Sequence, residues 1–147
     1  MKAPLIALML LIGVVLTLHL AMNSQVGAIV KNPRMGNALF WTIGAITAII
    51  IGLSGWDPGF FARLKDVPVW LFTAGIMGGL LVFGIAWAMP QVGAGKAFVL
   101  MIAGQVLSGM IFSHFGWLGS PVEPFTMVKV IGVVLLVAGA AIVTLAK

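Results

Sequence analysis

The sequence predicts an all-α membrane protein with five transmembrane helices in each chain. Hydrophobic residues make up 62% of the 147 residues and charged residues only 7%, and the mean hydropathy is +1.22. Soluble domains carry roughly 25% charged residues, so a water-soluble globule is excluded. The basic residues lie singly, in short links and near the ends of apolar stretches. This placement is typical of topology anchors and not of a nucleic-acid-binding patch.

Five apolar stretches approach the length of about 20 residues that an α-helix needs to cross a bilayer. The predicted spans cover approximately residues 4–30, 36–53, 69–89, 92–112 and 125–146. Links rich in proline and glycine separate them. The link after the second span is long enough to hold a short interfacial helix near residues 60–64. We expect a single transmembrane domain over residues 1–147.

The first span contains a polar interruption at residues 23–25, after which the apolar character continues to residue 30. We expect one long, tilted helix here. Lys2 followed by an apolar stretch also fits a signal peptide. No convincing small-x-small cleavage site precedes a hydrophilic mature start, and further membrane-length stretches follow, so a retained span is favoured.

Helix breakers set the predicted ends of the second and third spans. The second span follows Pro33 and ends before Gly55, and the third follows Pro68 and ends before Pro90. Proline removes a backbone donor and disfavours helical geometry in the residue before it.

Small residues recur inside the last three spans at spacings that let helix backbones approach closely in lipid. These residues are Gly75 and Gly79 in the third span, Gly104 and Ser108 in the fourth, and Gly132 and Gly139 in the fifth. A tightly packed bundle is expected.

The basic residues divide equally between the two sides of the membrane. One side carries Lys2, Arg63, Lys65 and Lys129, and the other carries Lys31, Arg34, Lys96 and Lys147. Orientation normally follows the lysine and arginine bias, and here there is none. Either one weakly specified orientation dominates, or both orientations are made and pair as an antiparallel, dual-topology homodimer.

Two inverted copies would give a ten-helix bundle with the inverted-repeat symmetry of alternating-access transporters. The predicted function is therefore transport of a small solute at the dimer interface. The alternative is a non-transporting accessory or structural membrane protein. An enzyme is not expected, because the spans hold neither a paired carboxylate nor a metal-ligand cluster. Neither a cofactor nor a metal is expected.

Two polar residues on the fourth span are candidate solute-binding residues. Lys96 lies about one turn inside the span, and no span contains an acidic residue to pair with it. Such a charge binds an anionic group or snorkels to the interface. Gln105 lies near the bilayer centre, where an amide needs a partner: another helix, the antiparallel copy or a solute.

The first three spans add four further candidates. His19 and Asn23 are four residues apart and share a helix face. His19 is a candidate for proton coupling; the alternative is a neutral histidine bonded to Asn23 or to a backbone carbonyl. Trp41 and Trp87 are candidates for an aromatic wall against a planar or apolar solute, with helix packing as the alternative.

A pattern of small and polar residues runs through nearly the whole chain. It comprises residues 68–70, Gly75, residues 78–79, 90–94, 104–105 and 114–116, Gly132 and Gly139, and in the first half Asn23, Gly27, Pro33 and Gly44. This pattern resembles the YdcZ family, five-helix members of the drug/metabolite transporter superfamily. The resemblance implies a bacterial inner-membrane, multi-pass transport protein that works as a dimer.

Two departures from the family pattern fall on the fourth span. The family usually has an acidic residue where this chain has Ser113, and a small or hydroxyl residue where it has Lys96. The loss of one negative charge and the gain of one positive charge imply a preference for an anionic or neutral polar solute over a cation. Ser113 is accordingly a further candidate site residue.

Overall fold

A computed structural model describes residues 3–146, and every regular element in that range is helical. Within those residues, five helices are long and apolar enough to cross a membrane. The predicted all-α class and the five spans are thereby confirmed. Lys2 and Lys147, which enter the charge comparison, lie outside the described residues. The homodimer and its antiparallel arrangement stay predictions.

The helices follow the predicted spans closely. They are α1 (Ala3–Ile29), α2 (Pro33–Ser54), α3 (Phe60–Leu64), α4 (Thr73–Val92), α5 (Ala94–Phe115) and α6 (Met127–Leu145). The short α3 occupies the position predicted for a helix in the second link. A 3₁₀ turn at Val69–Phe72 leads directly into α4, so the third span covers Val69–Val92.

Capping side chains begin two of the spans. Asn32 accepts a hydrogen bond from the backbone N–H of Met35 at 3.2 Å, and Pro33 occupies the first turn of α2. Proline is favoured there because its missing N–H has no helical partner at that position. Thr126 caps α6 in the same way, accepting from the N–H of Lys129 at 3.3 Å. The second span was predicted to follow Pro33, but Pro33 is the first residue of α2.

The predicted break at Pro90 is wrong, because α4 continues through Pro90 to Val92. The chain breaks at Gly93 instead, whose φ of +86° is rarely adopted by residues with a side chain. Pro90 has no N–H to donate to the carbonyl of Ala86, four residues earlier. That carbonyl accepts a hydrogen bond from the Ser24 hydroxyl of α1 at 3.3 Å.

The described residues form two compact units, one ending at Gln91 and one beginning at Val92. In the first unit α1 packs closely on α2, since a Cβ built on Gly36 would lie 2.9 Å from the Cα of Gly27. α2 contacts α4 through Asn37, whose amide donates to the carbonyl of Gly79 at 3.4 Å. In the second unit α5 packs against α6. The single transmembrane domain stays a prediction.

Candidate functional site

A cleft between α1 and α2 is the candidate solute site of the first unit. Its volume is about 230 Å³, and α1 contributes His19, Asn23 and Val26 to its walls while α2 contributes Leu39, Phe40 and Ile43. We call it the α1–α2 cleft. His19 and Asn23 share one face of α1, as their spacing predicts. Apart from these two residues the named walls are apolar.

Asn23 is the most unusual side chain of the α1–α2 cleft. It is 1% exposed, and neither its Oδ1 nor its Nδ2 atom has a hydrogen-bond partner among residues 3–146. A buried polar group without a partner costs about 1–3 kcal/mol, and native structures contain few of them. Within lipid no solvent is present to satisfy the amide. Asn23 therefore has unused capacity both to donate and to accept hydrogen bonds.

His19 lies half-buried beside Asn23 but does not bond to it, because both amide atoms of Asn23 are unpartnered. The interpretation that these two side chains satisfy each other is wrong. The His19 ring instead packs on Phe40 across the cleft, with ring centroids 4.4 Å apart and tilted by 52°. The contact holds the imidazole against the aromatic wall and leaves the amide free.

The two candidate tryptophans lie outside this cleft. Trp41 packs over α4, because a Cβ built on Gly78 would lie 3.4 Å from the tip of its indole ring. Trp87 is exposed on α4, and its carbonyl accepts a hydrogen bond from the Gln91 side chain at 2.9 Å. Phe40, and not a tryptophan, provides the aromatic wall of the cleft.

Three candidates belong to the second unit, and they do not lie together. Lys96 is half-buried in the first turn of α5, and Gln105 is exposed near the middle of that helix. Ser113, near the end of α5, lines a cavity to which neither Lys96 nor Gln105 contributes. The N-terminus of a helix carries a partial positive charge, so the start of α5 and Lys96 together favour an anion.

The cavity at Ser113 has a volume of about 280 Å³ and lies where α5 ends and α6 begins. We call it the loop cavity. Glu123 and Lys129 also line it, and the Lys129 Nζ atom lies 3.0 Å from Glu123 Oε2. Neither residue was predicted as a site residue from the sequence, in which Glu123 is a loop acid and Lys129 a topology anchor. Only the path of the loop brings them beside Ser113.

Within residues 3–146, histidine and acidic side chains nowhere gather in threes at metal-binding distance. The polar groups of the two cavities are instead an amide, an imidazole, a hydroxyl and one ion pair. Groups of these kinds can form hydrogen bonds and charge contacts with a solute.

A family model described as "Putative inner membrane exporter, YdcZ" matches residues 4–142. No curated protein and no solved structure matches the chain. The matched range extends into all five spans. Together with the five apolar helices, the match makes this a multi-pass protein of the inner membrane.

Proposed function

The chain belongs to the YdcZ family of inner-membrane proteins, and we propose that it transports a small solute by alternating access in an antiparallel homodimer. The transported solute is anionic or neutral and polar. The observation that carries this proposal is the unpartnered amide of Asn23 in the wall of the α1–α2 cleft. The residues proposed to contact the solute are His19 and Asn23 in the first unit and Lys96, Gln105 and Ser113 in the second.

The Asn23 amide supports a solute-binding role because its burial destabilises the folded chain. Leucine has the same branched shape and a somewhat larger volume, and it would place no unsatisfied donor or acceptor at this position. A polar group kept at such a cost is explained if a solute or a second conformation supplies the missing partner. The mostly apolar walls of the cleft fit a solute whose polar groups are few.

Gln105 supports pairing of two copies. Its side chain is exposed near the middle of α5, and within residues 3–146 no atom beyond the adjoining part of α5 lies within 4 Å of a Cβ built on Gly104 or Gly109. An amide at that depth gains from a partner, and small neighbours let a second backbone approach. The balanced basic residues of the two sides agree with an antiparallel pair.

Lys96 supports the choice of solute charge. It adds a positive charge to the N-terminal turn of α5, where the helix dipole is also positive. The acidic residues of the described chain lie in links between spans, so no carboxylate within a described span is placed to hold a cation. Trp41 is assigned to packing against α4, and Trp87, which is exposed on α4, is not assigned to the solute.

A non-transporting accessory role is the second candidate, and two contacts favour it. Ser24 and Asn37 both donate to carbonyls of α4. Polar residues in the first unit therefore do serve as links between helices. The two roles differ in one measurable property, the flux of solute through a membrane that contains the protein.

The test is efflux from vesicles that contain the full chain. The vesicles are loaded with small solutes that include leucine, butanesulfonate and tetraethylammonium, and efflux is followed by mass spectrometry. We expect protein-dependent loss of anionic or neutral polar solutes and retention of tetraethylammonium. Asn23→Leu and Lys96→Ala should each reduce that flux at least about tenfold.

Gln91→Leu is the matched control, because it removes an exposed amide whose bond lies within its own helix. Its flux should equal that of the unaltered chain. The absence of protein-dependent efflux for every solute would support the accessory role. Selective efflux of tetraethylammonium, or flux unchanged by Lys96→Ala, would contradict the proposed solute charge.

A further inference from the structure

The loop cavity holds two opposite charges beside an apolar wall, and the proposed function does not use them. Glu123 and Lys129 form the charged part of its lining. Val106, Met110 and Phe125 form the apolar part. The cavity lies wholly in the unit that begins at Val92. Its volume of about 280 Å³ is just below the roughly 300–1,000 Å³ of pockets for drug-sized ligands. It therefore fits a smaller solute.

The walls of the loop cavity are fixed by hydrogen bonds between the loop and the end of α5. The N–H of Glu123 donates to the carbonyl of Ser113 at 2.8 Å, and the hydroxyls of Ser113 and Ser120 lie 3.1 Å apart. The N–H of Phe125 donates to His114 Nδ1 at 3.2 Å, and the two rings stack with centroids 4.2 Å apart. These contacts attach the segment of residues 120–125, which carries Glu123, to the end of α5.

The turn that starts this loop depends on left-handed backbone. Gly116 ends α5 with a φ of +66°, and Leu118 and Gly119 also have positive φ. A residue with a side chain adopts this conformation at a cost. The positive φ of Leu118 therefore indicates that the surrounding contacts determine the path of the loop. That path places Glu123 beside Ser113.

Lys129 stands in the first turn of α6, where the helix dipole disfavours a cation. Its Nζ atom contacts Glu123 Oε2 at 3.0 Å and the carbonyl of Pro124 at 3.4 Å. Both charged side chains remain partly exposed, with 62% of Glu123 and 37% of Lys129 accessible. An exposed pair of this kind contributes little to stability, so an arriving solute can separate it at small cost.

We propose that the loop cavity binds a zwitterionic solute of the α-amino-acid type that carries an apolar side chain. The ammonium group of the solute pairs with Glu123, its carboxylate pairs with Lys129, and its side chain contacts Phe125 and Met110. One ion pair within the protein is exchanged for two between protein and solute. The Ser113 hydroxyl provides a further hydrogen bond at the same wall.

This inference rests on the proposed function, because it names the chemical class of the neutral polar solute that the protein would transport. It differs from the Asn23 observation in position and in chemistry. Asn23 is an uncharged amide in the first unit, whereas the loop cavity recognises charge. Binding at the loop cavity can therefore be measured without transport.

The test is equilibrium binding of three probes that share an isobutyl group to the full chain in lipid nanodiscs. The probes are leucine, 4-methylpentanoate, which lacks the ammonium group, and 3-methylbutylamine, which lacks the carboxylate. We expect leucine to bind at least about tenfold more tightly than either of the others, because each charge-assisted bond contributes a factor of this order.

Variants assign the two charges. Glu123→Gln and Lys129→Gln should each weaken leucine binding about tenfold or more. Glu123→Gln should leave 4-methylpentanoate binding unchanged or tighter, and Lys129→Gln should do the same for 3-methylbutylamine. The exchange of both charges, Glu123→Lys with Lys129→Glu, should recover most of the leucine affinity. Asp57→Asn is the matched control, because it breaks the Arg63–Asp57 ion pair in the first unit.

Equal affinity of the three probes, or leucine binding unaffected by both single variants, would overturn the inference. A variant still folds if its thermal unfolding midpoint is close to that of the unaltered chain. If a single variant does not fold, the variant with both charges exchanged provides a second test. Vesicle flux separates the two proposals. If flux depends on Asn23 but leucine does not bind, only the loop-cavity site is contradicted. If leucine binding depends on Glu123 and Lys129 but no flux is seen, only the transport proposal is contradicted.

Discussion

The Ser24 hydroxyl on α1 donates to the carbonyl of Ala86 on α4, the carbonyl that Pro90 cannot serve. A helix interior normally supplies that carbonyl with the N–H of the residue four positions later. Proline in a membrane helix is tolerated where a neighbouring helix satisfies the freed group. The contact explains how α4 continues through Pro90 and links it to α1.

A double-mutant cycle tests this contact. Ser24→Ala should lower the free energy of unfolding by about 0.6 kcal/mol, with an upper bound of about 1.7 kcal/mol, the range for hydrogen bonds between membrane helices. In a Pro90→Ala background the restored N–H can serve Ala86, so the same substitution should cost almost nothing. Thr17→Val is the control, because that hydroxyl bonds within its own helix. Equal Ser24→Ala costs in both backgrounds would contradict the assignment.

The approach of α1 and α2 should be sensitive to a single methyl group. A Cβ on Gly36 would lie 2.9 Å from the Cα of Gly27, so Gly36→Ala must push the helices apart. Overpacking of this kind costs about 1–3 kcal/mol. Gly44→Ala on the same helix meets open space and should leave the unfolding midpoint unchanged or slightly higher. Thermal unfolding of both variants in detergent measures the difference, and a similar effect of the two would count against close packing at Gly36.

Replacement of Asn23 should separate stability from activity. Asn23→Leu removes a buried, unpartnered amide, so the free energy of unfolding should rise by about 1–3 kcal/mol. Solute flux should fall at the same time. Denaturant unfolding and vesicle efflux of the same preparation measure the two effects. A variant that is destabilised would contradict the expected gain in stability, and a variant with full flux would remove Asn23 from the solute path.

Removal of the Gln105 amide should weaken pairing of two chains without unfolding either one. Gln105→Leu should lower the association constant roughly three- to thirtyfold, corresponding to about 0.6–2 kcal/mol for the lost hydrogen bonds. Energy transfer between labelled copies in lipid measures association. Thr42→Val is the control, since its hydroxyl bonds to the carbonyl of Ala38 in its own helix. Unchanged association of Gln105→Leu would remove this residue from the interface.

The sequence predicted the spans well because hydropathy and capping are local properties. The short helix at Phe60–Leu64 and the end of α2 at Ser54 follow from the glycine and proline residues of the second link. The end of α4 was predicted wrongly because it depends on a tertiary contact. Ser24 lies 62 positions from Ala86 in the chain, and no local pattern around Pro90 indicates that partner.

The candidate sites were predicted only in part, because some of their residues are brought together by tertiary contacts that no local pattern indicates. The shared face of His19 and Asn23 follows from helical spacing, and both line the α1–α2 cleft. The role of Phe40 as the aromatic wall depends on packing between helices and was missed. Glu123 and Lys129 were missed because the positive φ values at residues 116, 118 and 119 set the loop path. Spacing along the chain carries no signal of that path.

The sidedness of the two termini tests the antiparallel homodimer most directly. A tag on each terminus in turn, with a label that cannot cross the membrane, measures the fraction of chains in each orientation. We expect each terminus to be labelled from both sides, in comparable amounts, as the equal division of basic residues predicts. Confinement of each terminus to one side would contradict the antiparallel pair and the alternating-access path built on it.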